Sequence, residues 1–129
     1  MNSRIIGTII LFVIAPLIGL PQDSTTTFTS IEEALKNPES VIRLDLSNQS
    51  QGFSLDALRE FKNVQYLSLK NDHLNQLPVE ILEREQLRVL DLSGNDFSLL
   101  PEDFFKLKNL EELYLNEEKS LDLTQTIDV

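Results

Sequence analysis

Val41-Ile42-Arg43-Leu44-Asp45-Leu46 is followed by Val64-Gln65-Tyr66-Leu67-Ser68-Leu69, then by Leu87-Arg88-Val89-Leu90-Asp91-Leu92 and Leu110-Glu111-Glu112-Leu113-Tyr114-Leu115. The starting points differ by the same amount each time: 64 − 41, 87 − 64 and 110 − 87 are all 23. A fixed period of this size marks a solenoid, in which each unit buries its apolar face only against its neighbours. The fourth and sixth residues of every unit are leucine: Leu44/Leu46, Leu67/Leu69, Leu90/Leu92 and Leu113/Leu115. Two residues apart in an extended chain, they share one face. These eight side chains are therefore the expected core, on short strands stacked in register as a parallel sheet of about four.

The rest of each unit, counted from its first apolar residue, must turn the chain and bring it back. Position 11 is apolar in the middle units (Leu74, Phe97), position 14 with its proline gives Leu77-Pro78 and Leu100-Pro101, and position 18 is Leu58, Ile81, Phe104 and Ile127. This predicts a helical or extended return segment on the convex side, started by a proline whose missing N–H costs little there. Position 9 is Gln49, Asp72, Asn95 and Glu118, so one unit alone carries an asparagine able to bond the turns on both sides. The end units depart from the pattern. In the first, Gln51 and Ser54 occupy apolar slots, and Phe53 and Leu55 are expected to take them by a local slip. In the fourth, Ser120 stands at position 11, Leu121 is one place late, and Thr124 replaces the proline. Such end copies are usually irregular.

If positions 4 and 6 face inward, positions 3, 5 and 7 face out of the sheet on its concave side. The third row is Arg43, Tyr66, Val89 and Glu112; the fifth is Asp45, Ser68, Asp91 and Tyr114; the seventh is Ser47, Lys70, Ser93 and Asn116. Tyrosine and arginine are enriched among residues that dominate binding energy, which makes these rows the candidate ligand face. Taken singly, each reads better as an ordinary residue on a water-facing strand; it is the set that marks the face. Three gaps of about 4.8 Å and strands about 17 Å long give a footprint of roughly 250 Å², well below the ~800 Å² per partner of a standard interface.

Upstream, Arg4 precedes a run without charge from residue 5 to residue 20, interrupted by Gly7, Pro16 and Gly19. It is shorter than the ~20 apolar residues of a membrane-spanning helix and reads as an export signal over residues 1–20, cleaved near residues 19–22 or kept as a signal anchor. Contact with a membrane is expected only through residues 5–20, if they are uncleaved. Residues 21–29, rich in threonine, read as a linker. Residues 30–40 read as a cap for the first unit: Ser30-Ile31-Glu32-Glu33 matches a capping box, with Glu33 reaching back, Phe28 could staple the start, and Asn37-Pro38 ends a helix of about six or seven residues. The repeats then occupy 41–63, 64–86, 87–109 and 110–129.

Residues 64–86 and 87–109 resemble the leucine-rich-repeat family in its LxxLxLxxNxLxxLPxxI/F class, and the lead-in Ile31-Glu32-Glu33-Ala34-Leu35-Lys36-Asn37-Pro38 looks like that of exported bacterial members. The resemblance covers residues 31–129. It implies an α/β fold, a short leucine-rich-repeat horseshoe with an N-terminal cap helix, that binds a protein or peptide and has no catalysis of its own. Eukaryotic extracellular members usually carry cysteine-rich caps, and this chain has no cysteine.

Twenty-one acidic against eleven basic residues give a net charge of −10, which disfavours phosphate backbones and excludes nucleic acid as the expected partner. Without cysteine there are no disulfides, thiolate metal sites or cysteine nucleophiles. Asp45 and Asp91 share a row two strands apart, and His73 sits in a turn beside Asp72. Neither pair lies in an evident cleft, and no phosphate loop or nucleophile elbow is present. No metal, cofactor or enzymatic activity is expected. The expected role is an exported binding module: secreted, periplasmic or on the cell surface. The alternative is a structural subunit, or the N-terminal piece of a longer array, that self-associates through an uncapped C-terminal end.

Overall fold

The leucine pairs fold as their spacing demands. The computed structural model describes residues 26–50 and 52–116; residues 1–25, 51 and 117–129, and with them the export segment, Gln51, Glu118, Ser120, Leu121, Thr124 and Ile127, lie outside the described residues. Among the described residues there are five strands: β1 (Thr27–Phe28), β2 (Arg43–Asp45), β3 (Tyr66–Ser68), β4 (Val89–Asp91) and β5 (Glu112–Tyr114). They form one parallel sheet in sequence order. Leu44 pairs with Leu67, Leu67 with Leu90 and Leu90 with Leu113, so the register is the 23-residue period itself. All eight leucines of positions 4 and 6 are buried, as are Leu74, Phe97, Leu77, Leu100, Leu58, Ile81 and Phe104 of the return segments. Phe53 and Leu55 pack against this core from the first unit, while Ser54 stays exposed.

The sheet has one strand more than the four the repeat predicts. Thr27 and Phe28, in the stretch read as linker, pair with Arg43 and Leu44. Phe28 packs against the core and the pairing covers the open edge of β2, which would otherwise expose its backbone groups. A two-residue strand carries no alternation of its own to betray it.

The cap is also shorter and differently tied. Helix α1 spans Ile31–Ala34, with Ile31 and Ala34 buried, and a separate 3-10 turn follows at Pro38–Ser40. Ser30 accepts from the Glu33 amide at 3.5 Å, but the Glu33 carboxylate takes Lys36 Nζ at 2.7 Å instead of reaching back. An ammonium one turn away is a stronger partner than a lone amide that water can reach.

On the convex side the return segments are a 3-10 helix at Leu55–Glu60, helix α2 at Val79–Leu82 and a 3-10 helix at Glu102–Lys106. Pro78 and Pro101 stand immediately before the latter two. Cross-unit ion pairs lock these coils laterally: Arg59 to Glu80 at 3.0 Å and Arg88 Nε to Glu111 at 2.9 Å.

Candidate interaction face

The turn that follows each strand sets the faces of the sheet. Asn48, Asn71 and Gly94 each adopt positive φ (61°, 57° and 69°), the left-handed conformation that asparagine and glycine tolerate best. Each amide donates to a carbonyl of the next unit: Asn48 to Lys70 at 2.8 Å, Asn71 to Ser93 at 2.9 Å and Gly94 to Asn116 at 2.7 Å. Asn71 Nδ2 also donates to Asn48 Oδ1 at 3.0 Å. This eighth-position ladder escaped the sequence reading, although the signal was there: asparagine, asparagine and glycine at intervals of 23.

The ninth-position ladder is complete at Asn95 and only half kept at Asp72. Asn95 Oδ1 accepts from the Asp72 and Leu74 amides, both at 3.0 Å, and its Nδ2 donates to the Leu69 and Leu92 carbonyls, both at 2.8 Å. Asp72 keeps the accepting half, taking the Gln49 amide at 2.6 Å and the Ser50 amide at 3.1 Å. Gln49 turns the other way and donates from Nε2 to the Thr29 carbonyl at 2.7 Å, which ties the first unit to the cap.

These turns hold the concave rows in line. Arg43, Tyr66, Val89 and Glu112 pair in register, and so do Asp45, Ser68, Asp91 and Tyr114. Thr27 extends the first of these rows, and its Oγ1 accepts from Arg43 Nε at 3.3 Å. The Arg43 guanidinium lies 4.1 Å from the centre of the Tyr66 ring, a cation–π contact that fixes both side chains. Tyr114 donates its hydroxyl to Glu112 on the same strand at 2.5 Å. Asp45 is held by the Ser47 amide at 3.0 Å and by the Ser47 hydroxyl, and Asp91 by the Ser93 amide at 2.9 Å. Lys70 is exposed and Asn116 half-buried.

Two residues expected to face a ligand do not reach solvent. Ser68 is 2% and Ser93 4% exposed, although Ser68 stands in register in a concave row and Ser93 at the seventh position expected to face the same way. Ser68 is bonded to the Ser47 hydroxyl at 2.8 Å, and the Ser93 hydroxyl accepts from the Asn116 amide at 3.3 Å. On a concave surface the larger neighbours close over a small side chain, which then serves the framework. Lys70 is accordingly the exposed member of these rows, and Arg43, Tyr66, Glu112, Tyr114, Asp45, Asp91, Val89, Ser47 and Asn116 are half-buried around it, each with part of its surface open to a ligand.

The electrostatics suit recognition by neutral phenols beside carboxylates. Burial, then the charges of Asp45 and Asp91, push the Tyr66 phenol up, against the opposing pull of Arg43. Tyr114 is raised first by its hydrogen bond to the Glu112 carboxylate. Both tyrosines therefore remain protonated donors across the physiological range. His73 lies outside this face, exposed in its turn, with Nδ1 3.7 Å from Asp96 and not from the expected neighbour Asp72. Among the described residues no three His, Asp or Glu side chains are placed to hold a metal ion. A shallow polar groove of about 370 Å³ is lined by Lys62, Asn63, Glu83, Arg84, Glu85 and Gln86, none of them on the concave rows.

A family profile described as "Leucine-rich repeat region" matches residues 26–127. Over 73 residues, 56% of this chain, the sequence is 35% identical to RGA1, a Solanum bulbocastanum protein named for disease resistance, and spans 8% of that protein's length. The solved structure of the Leptospira interrogans LRR protein LIC12759 superposes with a TM-score of 0.54 at 28% identity, covering 74% of this chain and 30% of that one. The chain thus spans under a third of either protein. Register, buried leucines and turn ladders agree with these matches, and the chain belongs to the leucine-rich-repeat family, whose members in general mediate protein–protein contacts without catalysis.

Proposed function

We propose that the chain is an exported, non-catalytic module that binds a protein or peptide segment on its concave sheet face. The observation that carries this reading is the constellation of Arg43 stacked on Tyr66 beside Asp45 and Asp91, with Tyr114 braced by Glu112 along the same rows. Pre-set aromatic and guanidinium groups lose little conformational entropy on binding, which favours them as anchors. Three carboxylates (Asp45, Asp91, Glu112) against two cations (Arg43, Lys70) on these rows, within a chain of net charge −10, suit a ligand segment carrying lysine or arginine. The charge-free run of residues 5–20 behind Arg4 supports export, to the medium, the periplasm or the cell surface. The small footprint argues for a short segment bound weakly, or for several copies acting together.

The test is capture of surface proteins by the chain from residue 21 onward, with light scattering on the same sample. A monomer that retains a partner, and loses it on Tyr66→Ala plus Tyr114→Ala while melting as before, supports the reading. Growth of the scattering mass with concentration, with capture unaffected by the double substitution, would sink it in favour of self-assembly.

A further inference from the structure

Asp72 is 1% exposed, at the position where the next unit has Asn95. The two side chains use one oxygen in the same way: each Oδ1 accepts from two turn amides of the preceding unit's side, Gln49 and Ser50 for Asp72, Asp72 and Leu74 for Asn95. They differ at the other atom. Asn95 Nδ2 donates to the carbonyls of Leu69 and Leu92, whereas Asp72 Oδ2 is buried without a hydrogen-bond partner. Twenty-three residues earlier, the positions of Leu69 and Leu92 are Leu46 and Leu69. An ionised carboxylate therefore sets an acceptor where the repeat places a donor, in a site water does not reach. A carboxylic acid carries the missing donor.

We propose that Asp72 is a proton-operated joint between the first and second repeats: neutral, its Oδ2–H stands in for one of the two donations of the Asn95 amide, to the backbone carbonyl of Leu46 or Leu69; ionised, it holds only the Gln49 and Ser50 amides. The groups acting on the carboxyl agree with the geometry. Burial raises its affinity for the proton, the Gln49 and Ser50 amides oppose this, Asp45 on the adjacent strand adds to the rise, and His73 beside it subtracts. Because the folded-state value lies above the ordinary one, the stabilisation by neutral Asp72 is complete below the unfolded value of about 3.9 and is lost as pH rises through the folded value. The joint lies directly beyond Ser47 and Lys70, so acidification firms the N-terminal half of the concave face.

The experiment uses the full chain, as wild type and as Asp72→Asn, from pH 7.5 down to pH 3.5. The Asp72 side-chain carboxyl is followed by carbon NMR, and thermal midpoints are taken for both proteins. The carboxyl is expected to titrate above the ordinary aspartate value. Asp72→Asn, which donates at every pH, is expected to melt about 5 °C or more above wild type near neutrality, with the gap closing as pH falls. A carboxyl that titrates at or below the ordinary value overturns the proposal, and so does a midpoint gap independent of pH. Should Asp72→Asn fail to fold, the wild-type carboxyl titration alone decides it: a value above the ordinary one carries the proposal, and one at or below it overturns it.

Discussion

Replacing Asn95 by alanine removes the side chain that stitches the second and third repeats together. Its Oδ1 serves the Asp72 and Leu74 amides and its Nδ2 the Leu69 and Leu92 carbonyls, all in the buried interior of the second and third units. A buried backbone group left without its partner costs about 1–3 kcal/mol, so four such groups set a range of roughly 4–12 kcal/mol before any relaxation or water entry. A domain of this size has only about 5–15 kcal/mol in total. Asn95→Ala is therefore expected to lower the thermal midpoint by at least ~15 °C, or to prevent folding, in circular-dichroism melts and urea titrations. Asn95→Asp isolates the two halves of the side chain. It keeps the accepting fork and loses the two donations, which makes the third unit a copy of the second at this position. It should be milder than alanine, and its deficit should shrink as pH falls. An Asn95→Ala protein that melts cooperatively within about 2 °C of wild type would refute the ladder as a source of stability, and with it the comparison from which the Asp72 proton is inferred.

Leu90→Ala opens a cavity between Leu67 and Leu113 in the fully buried row and should cost about 3–5 kcal/mol by urea denaturation, whereas Leu99→Ala at an exposed site should stay within ~0.5 kcal/mol; equal effects would contradict the inward assignment of positions 4 and 6. Gly94→Ala places a Cβ 1.8 Å from Asn71 Oδ1 at φ +69° and should cost about 1–2 kcal/mol in backbone strain, plus the displaced Asn71–Asn48 bond. Gly94→Asn should be better tolerated than alanine as far as backbone strain goes, because Asn48 and Asn71 already adopt that conformation; the same urea titration ranks the two. Ultraviolet absorbance should show Tyr66 and Tyr114 ionising above the ordinary phenol value. Since both folded-state values are raised, their contribution to stability is full below the unfolded value of about 10 and is lost as pH rises through the folded values, so a normal phenol titration would remove the carboxylate neighbours from the argument.

The parts of this fold that were legible in the sequence are those in which one residue type recurs at one spacing for one reason. Leucine at positions 4 and 6 is such a case: each unit buries the same two side chains against the next, and the period alone yields core, register and sheet order. The parts that were hidden satisfy a geometric need with different chemistry. Position 8 needs a left-handed residue, and Asn48, Asn71 and Gly94 all supply it while sharing no side-chain property that a hydrophobic pattern records. Position 21 needs to fill the core. Phe61 and Leu107 do so with rings and methyls, but Arg84 does so with its aliphatic stem, 7% exposed, while its Nη1 donates to the Arg59 carbonyl at 2.7 Å and caps the 3-10 helix of the unit before.

The concave face was legible in direction and not in depth, and the reason bears on where a ligand can touch. Alternation along a strand says which way a side chain leaves the sheet; it is silent on how far its neighbours reach beyond it. Ser68 stands between Asp45 and Asp91 in its row and two residues from Tyr66 on its own strand, and it is closed over, its hydroxyl bonded to Ser47 and acting on the Tyr66 phenol. The same crowding that removes Ser68 from the surface brings Asp45 and Asp91 to act on the Tyr66 phenol. A small residue in the middle of a row thus gathers the larger ones around it into a single group instead of leaving a gap. Substituting Ser68 by a bulky residue such as leucine should push that group apart. Burial is the largest influence holding the Tyr66 phenol up, and a hydrogen bond with Ser68 draws it down. Leucine there adds to the first and removes the second, so it should raise the Tyr66 ionisation further while weakening capture of a partner. An unchanged Tyr66 titration would show that the group around Ser68 is set without it.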